Sequence, residues 1–147
     1  MKKNEKLKGS CLCQAISLEA TPVNTSVGAC HCDMCRRWSG GPLLVMDCGV
    51  GTINFSGEKN ISVYDSSEWA ERGFCSACGT HLFYRLKKQN QYMVPVGLFD
   101  NELVNELPNL EFDHQIFIEE KPGYYDFANE TKNMTGEEVF KMFEDSQ

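Results

Sequence analysis

Apolar and polar residues alternate along this chain in the manner of short strands rather than long helices. Apolar stretches recur at PLLVMDC (42–48), TINF (52–55), ISVY (61–64), HLFYR (81–85) and QYMVPVGLF (91–99). Gly and Ser separate them at Ser39-Gly40-Gly41, Ser56-Gly57 and Cys78-Gly79. β-Branched and aromatic residues bounded by such turn formers predict short antiparallel strands joined by tight turns. Pro95 has no N–H to give a ladder, so its segment is expected at a sheet edge or a bulge. Residues 100–134 are less regular. Within them QIFIEE (115–120) reads as a strand, and KPGYYDF as a turn whose aromatics close over the core. The clearest helical period comes last. Thr135, with Glu138 three residues on, forms a capping box. Val139, Phe140 and Phe143 then share one face, predicting a helix over about 136–145 that packs on the sheet.

The pattern therefore predicts a mainly β fold with a C-terminal helix, in one domain over 1–147. That length is enough for a hydrophobic core. Charge narrows the partners. The net charge is −7 and no stretch gathers Lys and Arg on one face, which excludes binding nucleic acid through its phosphates. The basic start MKKNEKLKGS is followed by no apolar core of a signal sequence, and no run is long enough to span a bilayer. No membrane partner and a cytoplasmic location are expected.

Eight cysteines change the picture most: Cys11, Cys13, Cys30, Cys32, Cys35, Cys48, Cys75 and Cys78. In a reducing compartment, clustered thiols point to metal or catalysis rather than disulfides. Seven of them fall in ligand-like clusters: Cys11-Leu12-Cys13, Cys30-His31-Cys32-Asp33-Met34-Cys35 and Cys75-Ser76-Ala77-Cys78-Gly79. A C-x-C in an extended segment presents two sulfurs on one side. A C-x-x-C wraps a turn around one ion, and Gly79 allows that turn a positive φ. Structural zinc takes four ligands, and catalytic zinc takes three with an open fourth position. Seven thiolates divide into one site of each kind, two zinc ions per chain. Cys11, Cys13, Cys75 and Cys78 form the closed site, and Cys30, Cys32 and Cys35 the open one. The competing readings are a single closed site with three core cysteines, or a redox switch between Cys30 and Cys35. Chelating spacing opposes the first, because ordinary core cysteines do not fall at such intervals. Cys48 stands alone in an apolar strand and reads as core.

GSCLCQAISLEA, CHCDMCRRWSGGP and RGFCSACGTHLFYR, in this order, resemble the glutathione-dependent formaldehyde-activating family, whose pattern is G-x-C-x-C, C-H-C-x-x-C-R and F-C-x-x-C-G. VPVGLFDN and DHQIFIEEKPGYYDF resemble its closing segments, so the likeness covers residues 9 to about 128. It implies a small zinc-bearing β-tent fold. It implies structural zinc on Cys11, Cys13, Cys75 and Cys78, and catalytic zinc on Cys30, Cys32 and Cys35. The implied activity is that of a carbon–sulfur lyase joining formaldehyde to glutathione. The partners expected are thus a small thiol and an aldehyde. A non-enzymatic zinc-stabilised binding module of the same fold is the alternative.

An open zinc site can hold a thiol as its nucleophilic thiolate or polarise the aldehyde oxygen. Three thiolate ligands weaken the ion as a Lewis acid, which favours thiol activation. Arg36 is a candidate for meeting a substrate carboxylate or steadying the thiolate-rich site, while Arg37 is expected in solvent. His31, between two ligands, is expected to face away from the metal and to play a supporting role. His81 and His114 are expected to be structural, and Trp38 to be a core aromatic.

Overall fold

The computed structural model describes residues 6–50 and 53–145. The basic residues 1–5 and Thr52, expected to open a strand, lie outside the described residues. Among the described residues there are eleven strands: β1 (Leu7–Ser10), β2 (Ser17–Ala20), β3 (Ser26–Cys30), β4 (Leu43–Asp47), β5 (Ile53–Ser56), β6 (Ile61–Tyr64), β7 (Ala70–Cys75), β8 (His81–Leu86), β9 (Gln91–Pro95), β10 (Glu111–Ile116) and β11 (Lys132–Met134). Three α-helices accompany them: α1 (Asp33–Ser39), α2 (Asn101–Asn105) and α3 (Gly136–Asp145). The fold is mainly β, as the apolar pattern predicts. No helix among the described residues is long and apolar enough to cross a membrane. Contacts sort the chain into two compact units, Met1–Thr25 with Val45–Leu110 and Ser26–Leu44 with Glu111–Gln147.

In the first unit β1, β2 and β5 pair antiparallel, with Leu7 opposite Ala20 and Ser17 opposite Ser56. A second antiparallel array runs β4-β9-β8-β7-β6. Its core gathers Cys11, Ile16, Cys75, Leu82 and Phe83, with Phe55 and Tyr92 packed against them. The Phe83 ring meets Tyr92 edge-on with centroids 5.0 Å apart. Gly73 lies opposite Phe83 in the β7–β8 ladder, and an added Cβ there would sit 2.2 Å from the Phe83 ring. β7 (Ala-Glu-Arg-Gly-Phe-Cys) lacks the apolar alternation of a strand, which is why periodicity passes over it. The expectation for Pro95 is corrected. β9 is flanked by β4 and β8, not an edge, and Pro95 ends it opposite Val45. The β8 ladder finishes at Met93, so no donor is missed at residue 95 on that side.

In the second unit β10 lies between β3 and β11 and runs parallel to both. Parallel pairing needs long connections, and these strands are separated by long stretches of sequence. Short connections join β1 to β2, β6 to β7, β7 to β8 and β8 to β9 in the first unit instead. β3 is buried at Val27, Ala29 and Cys30. The predicted capping box is present on α3: the Glu138 N–H donates to Thr135 Oγ1 and the Thr135 N–H to Glu138 Oε1, both at 3.1 Å. Val139 is buried, but Phe140 is half exposed and meets Phe117 edge-on at 5.7 Å.

Close approach of backbone to backbone at Gly9 yields a test of the first unit. A Cβ on Gly9 would lie 2.0 Å from the Leu98 carbonyl oxygen, whereas one on Gly41 meets nothing within 4 Å. Backbone cannot rotate away, so Gly9→Ala is expected to cost about 1–3 kcal/mol, as overpacking does. Gly41→Ala is expected to change stability by less than about 0.5 kcal/mol. Urea unfolding of both at matched metal content compares them.

Candidate metal centres

The turn after β1 carries Cys11 and Cys13, and the end of β7 with its following turn carries Cys75 and Cys78. Cys11-Leu12-Cys13 is a turn, not the extended segment that side-by-side sulfurs suggest. Gln14 takes φ +66°, and its N–H returns to the Cys11 carbonyl at 3.1 Å. The second turn matches its expectation: Gly79 has φ +81° and its N–H reaches the Cys75 carbonyl at 2.7 Å. Backbone N–H groups then point at sulfur, from Ile16 to Cys11 at 3.4 Å and from Cys78 to Cys75 at 3.4 Å. Thr80 binds the two turns together. Its Oγ1 lies 3.1 Å from Cys78 Sγ and accepts the Leu12 N–H at 3.1 Å.

These four sulfurs lie within 4.8 Å of one another, with Cys11–Cys13 at 3.6 Å and Cys13–Cys75 at 3.8 Å. All eight cysteines are free thiols, and the spacing is far beyond a disulfide's ~2.05 Å. It matches the edge of a tetrahedron about an ion with bonds of about 2.3 Å, which is about 3.8 Å. Ionisation is uneven. The side chain and backbone of Thr80 hold the Cys78 thiol down at about 5. At Cys13 the Ala15 N–H favours the thiolate, but desolvation and the neighbouring sulfurs outweigh it and push the thiol up to about 11. Without a cation the cluster does not carry four thiolates at neutral pH.

The second cluster belongs to the other unit. Cys30 ends β3, and Cys32 caps α1 with its Sγ accepting the Cys35 N–H at 3.3 Å. α1 was not read from the pattern. Gly40 as its left-handed terminus, Asp33 in the first turn and Arg36-Arg37 in the last are the signals that could have found it. Cys30, Cys32 and Cys35 are all buried, and their sulfurs also lie within 4.8 Å of one another. The other two thiols, and then burial, push Cys30 upwards. No fourth His, Cys, Asp or Glu joins this group among the described residues. Both clusters could hold a metal ion, and they divide the seven cysteines as the spacing predicts.

The remaining candidates are placed as follows. Arg36 Nε donates to the His31 carbonyl at 2.9 Å, and its Nη2 lies 3.6 Å from Asp33. Arg37 is exposed and pairs with Asp33 at 3.1 Å. His31 is fully buried, its ring nitrogens 2.7 Å from Tyr125 Oη and from Gln115 Oε1. Burial, aided by the Lys121 and Arg36 charges, pulls its pKa down despite Gln115, so the ring is neutral. Gln115 and Tyr125 escaped sequence reading because neither stands near a cysteine. His114 pairs with Asp113 at 2.6 Å. Trp38 is partly exposed, not a core aromatic. Cys48 is fully buried, which pushes its thiol up to about 12.

Comparison with known proteins places this geometry in context. A Schizosaccharomyces pombe protein named as an uncharacterized lyase is 38% identical over 135 residues, spanning 91% of this chain and 94% of its own length. A Podospora anserina protein, named as a candidate glutathione-dependent formaldehyde-activating enzyme, is 31% identical over 90 residues, 56% of this chain and 40% of that protein. The crystal structure of a Rhodobacter sphaeroides protein superposes with a TM-score of 0.58 at 23% identity, covering 64% of this chain and 88% of that one, so the two share a fold. The sequence profile of the glutathione-dependent formaldehyde-activating enzyme family matches residues 6–120, which include both cysteine clusters. The chain belongs to the glutathione-dependent formaldehyde-activating enzyme family.

Proposed function

We propose that this protein is a zinc-dependent carbon–sulfur lyase that forms or cleaves the adduct of a small thiol, glutathione or one like it, with an aldehyde such as formaldehyde. The observation that carries the reading is the contrast between four grouped sulfurs and three. Zinc suits both donor sets, being tetrahedral and thiophilic. Cys11, Cys13, Cys75 and Cys78 would close the coordination of a structural ion. Cys30, Cys32 and Cys35 would leave one position for a ligand from outside. A binding module has no use for an open position, and a fourth protein ligand would favour that alternative.

The reaction balances simply. The thiol sulfur attacks the carbonyl carbon, a C–S bond forms, the carbonyl π pair moves to oxygen, and the thiol proton ends on that oxygen. Zinc held by Cys30, Cys32 and Cys35 would supply the lowered thiol pKa that this attack needs near neutral pH. The chain's own residues set the place. β3 presents Cys30, and the first turn of α1 presents Cys32 and Cys35. Arg36 acts by fastening the His31 carbonyl between two ligands; we assign it a positioning role.

Three measurements test this. Metal analysis of gently purified protein is expected to give two zinc ions per chain, falling towards one on mild chelation, because three thiolates hold zinc less tightly than four. A ratio that never exceeds one after zinc-replete purification rejects the two-site reading. Cys78→Ser is expected to abolish cooperative folding, since closed-site zinc is worth on the order of 10 kcal/mol to folding, comparable to a domain's whole stability. Cys35→Ser should keep the fold and lose activity. Equal loss in circular dichroism melts makes the triplet structural as well. Finally, the wild type should speed exchange between formaldehyde plus glutathione and the S-hydroxymethyl adduct in NMR exchange spectra, and Cys35→Ser should not. Equal rates reject glutathione as the thiol.

A further inference from the structure

His31 stands between Cys30 and Cys32, and each of its polar atoms is tied down. Its backbone N–H donates to the Ile116 carbonyl at 3.2 Å, and its own carbonyl accepts from Arg36 at 2.9 Å. The ring is fully buried and meets Gln115 and Tyr125 at 2.7 Å each. The direction of these bonds follows from Gln115. Its side-chain amide donates to Thr131 Oγ1 at 2.8 Å, and that hydroxyl donates to Asn133 Oδ1 at 2.7 Å. Gln115 Oε1 is thereby turned to the ring and accepts, so His31 Nε2 carries the proton and Nδ1 accepts from the Tyr125 hydroxyl. One chain of donors runs from Tyr125 through His31 and Gln115 to Thr131 and Asn133.

A ring that served only as filler would need none of this. Two short bonds from residues 84 and 94 positions away aim the imidazole rather than merely enclose it. With its peptide groups also held, His31 is restrained in φ, ψ and χ. The sulfurs on either side inherit that rigidity, because adjacent backbone fixes where Cys30 and Cys32 direct their side chains. We infer that Gln115 and Tyr125 are positioning residues of the triplet, which act through the His31 ring to hold the Cys30 and Cys32 sulfurs at metal-binding spacing. The inference rests on the triplet being a metal site. Outer partners of this kind are worth about 10–100-fold in metal affinity.

Cobalt titration of the full chain, with zinc first loaded in the four-cysteine cluster, reads the triplet without reference to catalysis. Tyr125→Phe removes one hydroxyl and keeps the ring that packs on Phe127. It is expected to weaken cobalt binding at the triplet about 10–100-fold and to shift the ligand-field bands. Gln115→Leu should do the same, while Gln115→Glu, which keeps an acceptor for His31 Nε2–H, should retain the wild-type bands. If Gln115→Leu does not fold, Tyr125→Phe decides alone. Variants that melt earlier yet bind cobalt with wild-type affinity and bands overturn the proposal and leave the ring a packing element. The lyase reading fails separately. Absence of catalysed exchange in the wild type rejects the formaldehyde–glutathione pair as substrates while weakened cobalt binding in the variants upholds the positioning role, and the reverse pair of results does the opposite.

Discussion

Thiol groups packed together inside a protein repel one another as they ionise, and this constraint bears on both cysteine clusters. Four sulfurs lie within 4.8 Å of one another at the edge of an apolar core. Hydrogen bonds from Thr80 ease one of them into the thiolate form, while desolvation and then the neighbouring sulfurs push the Cys13 thiol up. A divalent cation would convert this conflict into cohesion, because every thiolate would then gain an attractive partner. Cys11 and Cys75 share a core with Ile16, Leu82 and Phe83. Coordination and apolar packing would therefore be formed by the same residues. A β1 turn and a β7 turn far apart in sequence would be fastened by both at once.

The triplet answers the same constraint differently. All three of its cysteines are buried, whereas Cys13 of the other cluster is exposed, and only three are grouped. The cluster stands at the junction of a strand and a helix, where Cys32 serves at once as candidate ligand and helix cap. Such a junction is rigid. The strand is held in parallel pairing with β10, and the Asp33 N–H at the helix start donates to Glu120 Oε1 at 3.0 Å. Rigidity with an open position is the combination an exchangeable ligand requires. In the four-cysteine cluster protein sulfurs would fill every position around an ion, so stability rather than exchange would be its natural product.

Particular residues show how much was readable beforehand. The capping box at Thr135 and Glu138, the positive φ at Gly79 and the division of seven cysteines into four and three all rest on signals within a few residues of one another. The β8 and β6 strands announce themselves by apolar runs. β7 does not, because Gly73 occupies the place where Phe83 from the neighbouring strand fills the space. Pro95 misleads because its effect depends on where the β8 ladder ends, which is a property of another strand. The helix after Cys32 becomes legible only when Gly40 is taken as its terminus.

By itself, then, the sequence determined which sulfurs are candidate donors, how they group, and that the fold is mainly β. Chelating spacing and side-chain period are local, and local geometry follows from covalent structure. Tertiary structure alone decided what surrounds those donors. That β10 runs parallel to β3, that Gln115 faces His31, and that Tyr125 returns to cap its ring depend on residues more than eighty positions apart. Nothing in the neighbourhood of Cys30 or Cys32 specifies them. Such pairings are chosen when the whole chain buries its apolar surface and satisfies its buried polar groups together. Each of those choices is made over the entire fold, so no short segment can contain it.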